Sequence, residues 1–216
     1  MTKESIELVF ILDKSGSMAG LEPDTIGGFN AMLHKQQKAE GEAYVTTVLF
    51  NHHYELIHDR ININAISPMT EDEYRVGGST ALLDAIGSTI QKIVNVQKYT
   101  IEEQRAHKVM FVITTDGMEN ASQEYTARKI KQMVRHQKEK YGWEFIFLGA
   151  NIDSISTAAQ FGINEDFAVN YHADNLGTQL NYEAVNEAVM NMRNGKKIDR
   201  SWKDQIEKDY KLRSSK

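Results

Sequence analysis

The sequence contains no cysteine. That excludes a disulfide framework and any thiolate zinc or iron–sulfur centre. Long apolar runs are also missing: no stretch approaches the ~20 apolar residues that a helix needs to cross a bilayer. The early run over residues 6–12 is too short for a signal-peptide core and ends at Asp13 and Lys14. A soluble, cytoplasmic protein is the expectation, without membrane attachment. Neither Gly-x-Gly-x-x-Gly nor Gly-x-x-x-x-Gly-Lys-Ser/Thr occurs, so Gly27-Gly28 and Gly77-Gly78 do not read as phosphate cradles. Positive charge is in deficit, with 25 Lys and Arg against 30 Asp and Glu, a net charge of −5. That balance argues against broad nucleic-acid affinity. The deficit is uneven. Residues 193–216 hold nine Lys/Arg and four Asp/Glu, a net of +5, so residues 1–192 carry −10.

The 216 residues are otherwise ordinary, 41% hydrophobic and 25% charged. A chain of this length buries a substantial core without covalent staples. Residues 6–12 form a nearly continuous apolar run, as expected of a parallel strand covered on both faces. Helical spacing follows at Ile26, Phe29, Met32 and Leu33. Residues 44–50 and 54–59 read as two strands joined by a turn at Asn51-His52-His53. Helical spacing returns from Leu82 to Val94, in Ala127, Ile130, Met133 and Val134, over 155–161, and from Leu180 to Met192. Strands are predicted at 109–114, 144–148 and 167–170. There is no internal repeat and no low-complexity segment. This alternation predicts an α/β, doubly wound, mostly parallel sheet with one antiparallel edge strand and helices on both faces. Ligands of such sheets bind beyond the carboxyl ends of the strands, where the winding reverses.

Three polar segments should open onto that end. Asp13-Lys14-Ser15-Gly16-Ser17 follows the first strand. Gly77-Gly78-Ser79-Thr80-Ala81-Leu82 precedes the second main helix. Thr115-Asp116-Gly117 follows the strand at 109–114. Together they offer two carboxylates and several hydroxyls, an all-oxygen set suited to a hard cation. Mg²⁺ takes six oxygens at about 2.0–2.1 Å and usually keeps some waters. Two carboxylates would neutralise a divalent ion and leave it electrophilic toward one further anionic oxygen.

These segments resemble the three motifs of the metal-ion-dependent adhesion site (MIDAS) in von Willebrand factor type A (VWA) domains. Asp13-x-Ser15-x-Ser17 matches the first motif, Gly78-Ser79-Thr80-Ala81-Leu82 is similar to the threonine loop, and Thr114-Thr115-Asp116-Gly117 to the third. The first motif alone is a weak pattern, but three in the family's order, each after the right element, are specific. The resemblance covers roughly residues 4–192, giving a VWA-like domain over 1–192 and a basic helical tail over 193–216.

The resemblance implies a stand-alone, bacterial or phage-type VWA protein with a Rossmann-like fold. Ser15, Ser17 and Thr80 would ligate a divalent metal by hydroxyl, and Asp13 and Asp116 directly or through water. Magnesium is the expected ion, with Mn²⁺ or Ca²⁺ as alternatives. A carboxylate exposed on a partner protein would complete the coordination, and Thr80 would become a direct ligand in the engaged state. The family is a non-enzymatic binding module. Many bacterial members act beside a ring ATPase or in a tellurite-resistance-like system, which gives the partner classes to expect.

Simpler readings of the same residues stand beside this one. Asp13 to Ser17 has the composition of a polar turn capping a helix. A strand ending in Asp also suits a Mg-dependent phosphohydrolase with Asp13 as nucleophile. That chemistry needs a second Asp two residues later to protonate the leaving oxygen, and the position holds Ser15. Ser15 does not lie in Gly-x-Ser-x-Gly, so a hydrolase nucleophile is not indicated. His52 and His53 fall in the predicted turn, and since adjacent residues on a strand point to opposite faces they make a poor zinc site. The nine methionines read as core fillers. In the tail, Trp202, Ile206 and Tyr210 form one helical stripe. It either packs back on its own domain or docks an acidic partner.

Overall fold

The computed structural model describes residues 5–214. In chain order the main elements are β1 (Ile6–Asp13), α1 (Glu22–Gln37), β2 (Ala43–Phe50), β3 (Tyr54–Asn62), α2 (Leu82–Tyr99), β4 (Lys108–Thr115), α3 (Ala127–Tyr141), β5 (Glu144–Ala150), α4 (Ser154–Gln160), β6 (Ala168–Tyr171), α5 (Asn175–Arg193) and α6 (Asp204–Ser214). They form one six-stranded sheet in the order β3-β2-β1-β4-β5-β6. Only β3, at one edge, runs antiparallel to its neighbour.

Every residue of β1 is buried, because both faces of the sheet are covered. Its side chains alternate between two cores. Leu8, Phe10 and Leu12 join Phe29, Met32 and Leu33 of α1 and Val185, Ala188 and Val189 of α5. Val9 and Ile11 join Ile86 and Ile90 of α2, Ile130 and Val134 of α3 and Ala158 of α4. The chain leaves β1 toward one face and β4 toward the other. The winding therefore reverses between the carboxyl ends of β1 and β4, where an open α/β sheet forms its ligand crevice.

Predicted elements are present, and their limits shift for local reasons. Helix α1 begins at Glu22, earlier than its apolar spacing indicates, with Pro23 in the first turn, where a missing N–H costs nothing. Helix α5 begins at Asn175, capped by the Asp174 side chain, which accepts from Gly177 N at 2.9 Å. The pair Gly27-Gly28 has a packing role. A Cβ on Gly28 would lie 2.3 Å from the Tyr182 ring of α5.

The tail helix packs on its own domain. Trp202 and Ile206 are buried in the core shared by α1 and α5. The Trp202 indole N–H donates to Asp166 O at 2.8 Å. Lys203 Nζ donates to Glu165 O and Ala168 O at 2.6 and 2.8 Å and pairs with Glu207. Tyr210 stacks on His172, with ring centres 4.7 Å apart. Among the described residues no helix is long and apolar enough to cross a membrane.

Candidate metal centre

Asp13 is the last residue of β1, and its side chain is held by short polar contacts. Oδ1 accepts from the Ser15 backbone N–H at 2.7 Å, and Oδ2 accepts from the Thr115 hydroxyl at 2.6 Å. Its backbone carbonyl accepts from the buried Tyr74 hydroxyl. A single 3-10 turn, Gly16–Met18, then brings Ser17 back beside Ser15, with the two Oγ atoms 3.2 Å apart. Ser15 is buried and Ser17 exposed, so the pair spans from the core to solvent.

Thr80 reaches the same place from the start of α2. The loop before it is tied to β1's end by Gly16 N to Gly78 O (2.9 Å) and Gly77 N to Lys14 O (2.8 Å). Gly78 has φ +82°, a conformation that favours glycine, and a Cβ there would lie 2.2 Å from the ring of the exposed His52, which would have to swing away. Asn51 braces the loop further. Its side chain donates to Gly77 O at 2.7 Å, and its carbonyl accepts from Ala81 N at 2.8 Å. Asn120 Oδ1 accepts from Thr80 N at 2.9 Å, fastening Thr80 to the segment after β4.

Gly117 shows how closely the hydroxyls converge. A Cβ on it would lie 2.9 Å from Ser17 Oγ, 3.1 Å from Thr80 Oγ1 and 3.8 Å from Ser15 Oγ. The missing side chain leaves the space that these three oxygens border.

Asp116 stands beside Gly117 and is only 2% exposed. Both of its carboxylate oxygens are buried without a hydrogen-bond partner. The Ser17 hydroxyl is near enough to favour its charged form, yet no contact reaches hydrogen-bond geometry. Burial, with a smaller repulsion from Asp13, raises the Asp116 carboxyl above its ordinary value. Burial also raises Asp13, against the contacts from Thr115 and Ser15. Buried acceptors are nearly always satisfied, so an orphaned carboxylate next to three hydroxyls fits a divalent cation as the missing partner. Among the described residues no three His, Asp or Glu side chains gather as a metal site. The oxygens gathered at this point are those of hydroxyls and two carboxylates.

Asp13, Ser15, Ser17, Thr80 and Asp116 thus come from three separate segments to one spot at the switch point. Two further carboxylates build the site's frame and were not singled out in the sequence. Asp84 accepts from the backbone N–H groups of Gln123, Glu124 and Tyr125 at 2.8–2.9 Å. Glu119 accepts from Leu83 N, Ala121 N and Ser122 N at 2.8–3.0 Å. They clamp residues 119–125 to the start of α2 and so fix Thr80 relative to Asp116. Placement of Asp84 in a helix's first turn was the available signal; its partners, about 40 residues away, were not visible. His52 and His53 sit in the turn itself, where strand alternation does not hold. Their rings approach to 4.0 Å instead of pointing apart.

No protein-family model matches the sequence, and no curated protein is significantly similar to it. Solved structures are similar in fold. A von Willebrand factor type A structure from Catenulispora acidiphila aligns at 12% identity and TM-score 0.59, covering 87% of this chain and 43% of that one. The vWF domain of the type V pili tip protein Mfa5 from Porphyromonas gingivalis aligns at 10% identity and TM-score 0.60, covering 88% and 96%. Proximal thread matrix protein 1 from the mussel byssus, in a form with a zinc-occupied MIDAS motif, aligns at 14% identity and TM-score 0.55, covering 88% and 46%. The chain spans about half the length of several proteins it matches, 46% and 43% in two cases. Its strand order, its lone antiparallel edge and these likenesses together show that the chain has the von Willebrand factor type A fold.

Proposed function

We propose that this protein is a non-enzymatic interaction module whose divalent cation, held by Asp13, Ser15, Ser17, Thr80 and Asp116, binds a carboxylate on a partner protein. The carrying observation is the Asp116 carboxylate, buried without a partner beside three converging hydroxyls. Asp13 and Asp116 would supply two negative charges and the hydroxyls none. A bound divalent ion would then be formally neutral and attract one more anionic oxygen. Exposure of Ser17 leaves the approach from solvent open. The zinc-occupied MIDAS motif of the mussel protein supports a metal at this position of the fold. Magnesium suits the hydroxyl-rich donor set, with Mn²⁺ or Ca²⁺ as competitors.

A phosphohydrolase using Asp13 is disfavoured by the same geometry. Both Asp13 oxygens already accept hydrogen bonds, and Ser15 stands where the acid would be needed. The partner classes to try first are a ring ATPase and components of a tellurite-resistance-like system. The test has two arms. Calorimetric titration with Mg²⁺, Mn²⁺ and Ca²⁺ should show one site, lost in Asp116→Ala. Capture of the partner by the purified chain should then fail in EDTA and return with the cation. Capture that persists in EDTA, or an absence of metal binding, refutes the proposal.

A further inference from the structure

Much of the tail's positive charge is taken up inside the molecule. Arg200, Lys203 and Lys211 pair with Glu207, and Arg213 pairs with Asp174 and Asp209. Arg193 donates to the main-chain carbonyls of Gln36, Ala39, Glu40 and Gly41.

Helix α3 is different. Its 15 residues hold six Lys/Arg and one Glu, a net of +5, in a chain of net charge −5, so the rest of the chain carries −10. Four of the six, Arg128, Lys131, Arg135 and Lys138, follow at spacings of three, four and three and so lie along one side of the helix over ~15 Å. Arg128, Lys131 and Arg135 are exposed. Arg135 pairs with Glu139 one turn on, and Lys138 lies over the Phe167 ring, 5.5 Å from its centre. Among the described residues Arg128, Lys129 and Lys131 have no ion pair.

Local physics disfavours this arrangement. Like charges one helical turn apart repel. Arg128 and Lys129 stand in the first turn of α3, where the helix dipole favours acids and none is present. Neither the core nor the cap needs them, since the helix buries Ile130 and Val134 and is capped by the Thr126 hydroxyl. A sequence that breaks a local rule at exposed positions, with no partner inside the chain, points to a surface kept for something outside it.

Lys131, Arg135 and Lys138 form one wall of an open groove of about 600 Å³ between α3 and α4. Ile155, Ala159 and Ile163 supply apolar surface opposite, and Ile155 is 38% exposed. Of the two carboxylates in the groove, Glu139 is paired with Arg135, leaving Glu165. Cations beside apolar surface complement a polypeptide that carries carboxylates and an apolar side chain together. Nucleic acid is a poorer match. A ribbon of ~15 Å meets few phosphates, the negative remainder of the chain repels a long polyanion, and no aromatic ring lines the groove to stack on a base. We infer that this groove docks an acidic segment of a partner protein, its carboxylates along Arg128, Lys131, Arg135 and Lys138 and an apolar side chain on Ile155.

The test follows the full chain by two-dimensional amide NMR, in EDTA so that no metal competes for carboxylates. The probes are acetyl-Asp-Glu-Leu-Glu-Glu-Leu-Asp-amide, its neutral counterpart with Asn and Gln for Asp and Glu, the acidic peptide with Ala for Leu, and an oligothymidylate of the same length. The acidic peptide should give saturable shifts confined to α3, α4 and the turn after α4, with a Kd below ~1 mM at low salt. The shifts should fade as salt rises through ~0.1 M, where the Debye length is ~10 Å. The neutral peptide should not bind, and the Ala peptide should bind more weakly. The double variant Arg128→Glu, Lys131→Glu should weaken binding about tenfold, because two exposed attractions become repulsions. It should melt no lower than the parent, since acids replace cations near the start of the helix. Lys131→Arg should leave both readings unchanged. The inference is overturned by no saturable shift, by shifts elsewhere on the chain, by equal binding of the neutral peptide, or by undiminished binding to the double variant. Tighter binding of the oligothymidylate would assign the ribbon to nucleic acid, and a lower melting temperature in the double variant would make the cations structural; either result overturns it too. Because EDTA is present throughout, failure of the metal proposal leaves this result untouched.

Discussion

Replacing Asp116 with alanine should stabilise the metal-free protein and destabilise it relative to the parent once metal is added. The wild-type side chain carries two buried oxygens with no hydrogen-bond partner, and its carboxyl is pushed up by burial and by Asp13. Leaving a buried polar group unmade costs ~1–3 kcal/mol, and more when it is charged. Truncation to alanine forfeits some packing, so the net gain should be about 1–2 kcal/mol. For a domain of 150–250 residues each kcal/mol moves the melting temperature ~2–4 °C. A rise of roughly 2–8 °C in EDTA is expected. In Mg²⁺ at a hundredfold excess over Kd, the wild type gains ~2.7 kcal/mol by mass action, and the variant gains nothing. The order of the two melting curves should therefore reverse between EDTA and Mg²⁺. Melting by circular dichroism in both conditions reads this directly. A variant that melts below wild type in EDTA, or two proteins that respond alike to Mg²⁺, would refute the assignment of Asp116 as the group that the cation satisfies.

Gly117→Ala should keep the fold and lower metal affinity at least tenfold by calorimetry, because its methyl would stand 2.9–3.1 Å from the Ser17 and Thr80 hydroxyls. Thr80→Ala should weaken partner binding ten- to a hundredfold, the value of ~1.5–3 kcal/mol for a lost contact to a charged group. It should weaken metal binding less, and equal losses in the two titrations would make Thr80 a constitutive ligand. Burial raises both Asp13 and Asp116, so the folded state holds their protons more tightly than the unfolded state does. The metal-free protein should therefore lose stability as pH rises from about the ordinary Asp value of 3.8 through the raised values, while metal affinity climbs over the same window; denaturant melts and titrations across that range check both signs. Trp202→Ala should cost ~3–5 kcal/mol in urea unfolding, since the ring is buried and its N–H is bonded to Asp166 O.

The central strands and the gathering of the candidate site's residues at their carboxyl ends were legible because their signals are local. The run of β1 is apolar on both faces, and it can be so only where both faces are covered. The five proposed ligands sit within three short segments, each directly after or before an apolar element. What stayed hidden depends on pairs distant in sequence. Asp84 and Glu119 look like surface acids until the fold sets them against backbone N–H groups 36–41 residues away. The tail's stripe was visible, but nothing in its periodicity says which surface it covers. That depended on where β6 and α5 present their apolar sides, which receive Trp202 and Ile206.

The two carboxylates of the centre are treated in opposite ways by the chain around them. Asp13 receives an amide N–H, a hydroxyl and a fixed backbone position through Tyr74. It is oriented before any cation arrives. Asp116 receives nothing comparable, although it is as deeply buried. Had the arrangement served only to end two strands, the cheaper solution would be to bond both acids or to expose them. Instead the fold fixes one acid and the Thr80 backbone tightly and leaves the second acid unsatisfied at the edge of a space bordered by hydroxyls. On the proposed reading, a cation entering that space would relieve the repulsion between the acids and the desolvation of Asp116 together. Its binding energy would then be drawn from a cost already present in the metal-free state, and that is why the sign of the Asp116 effect, more than its size, decides whether the proposal is right.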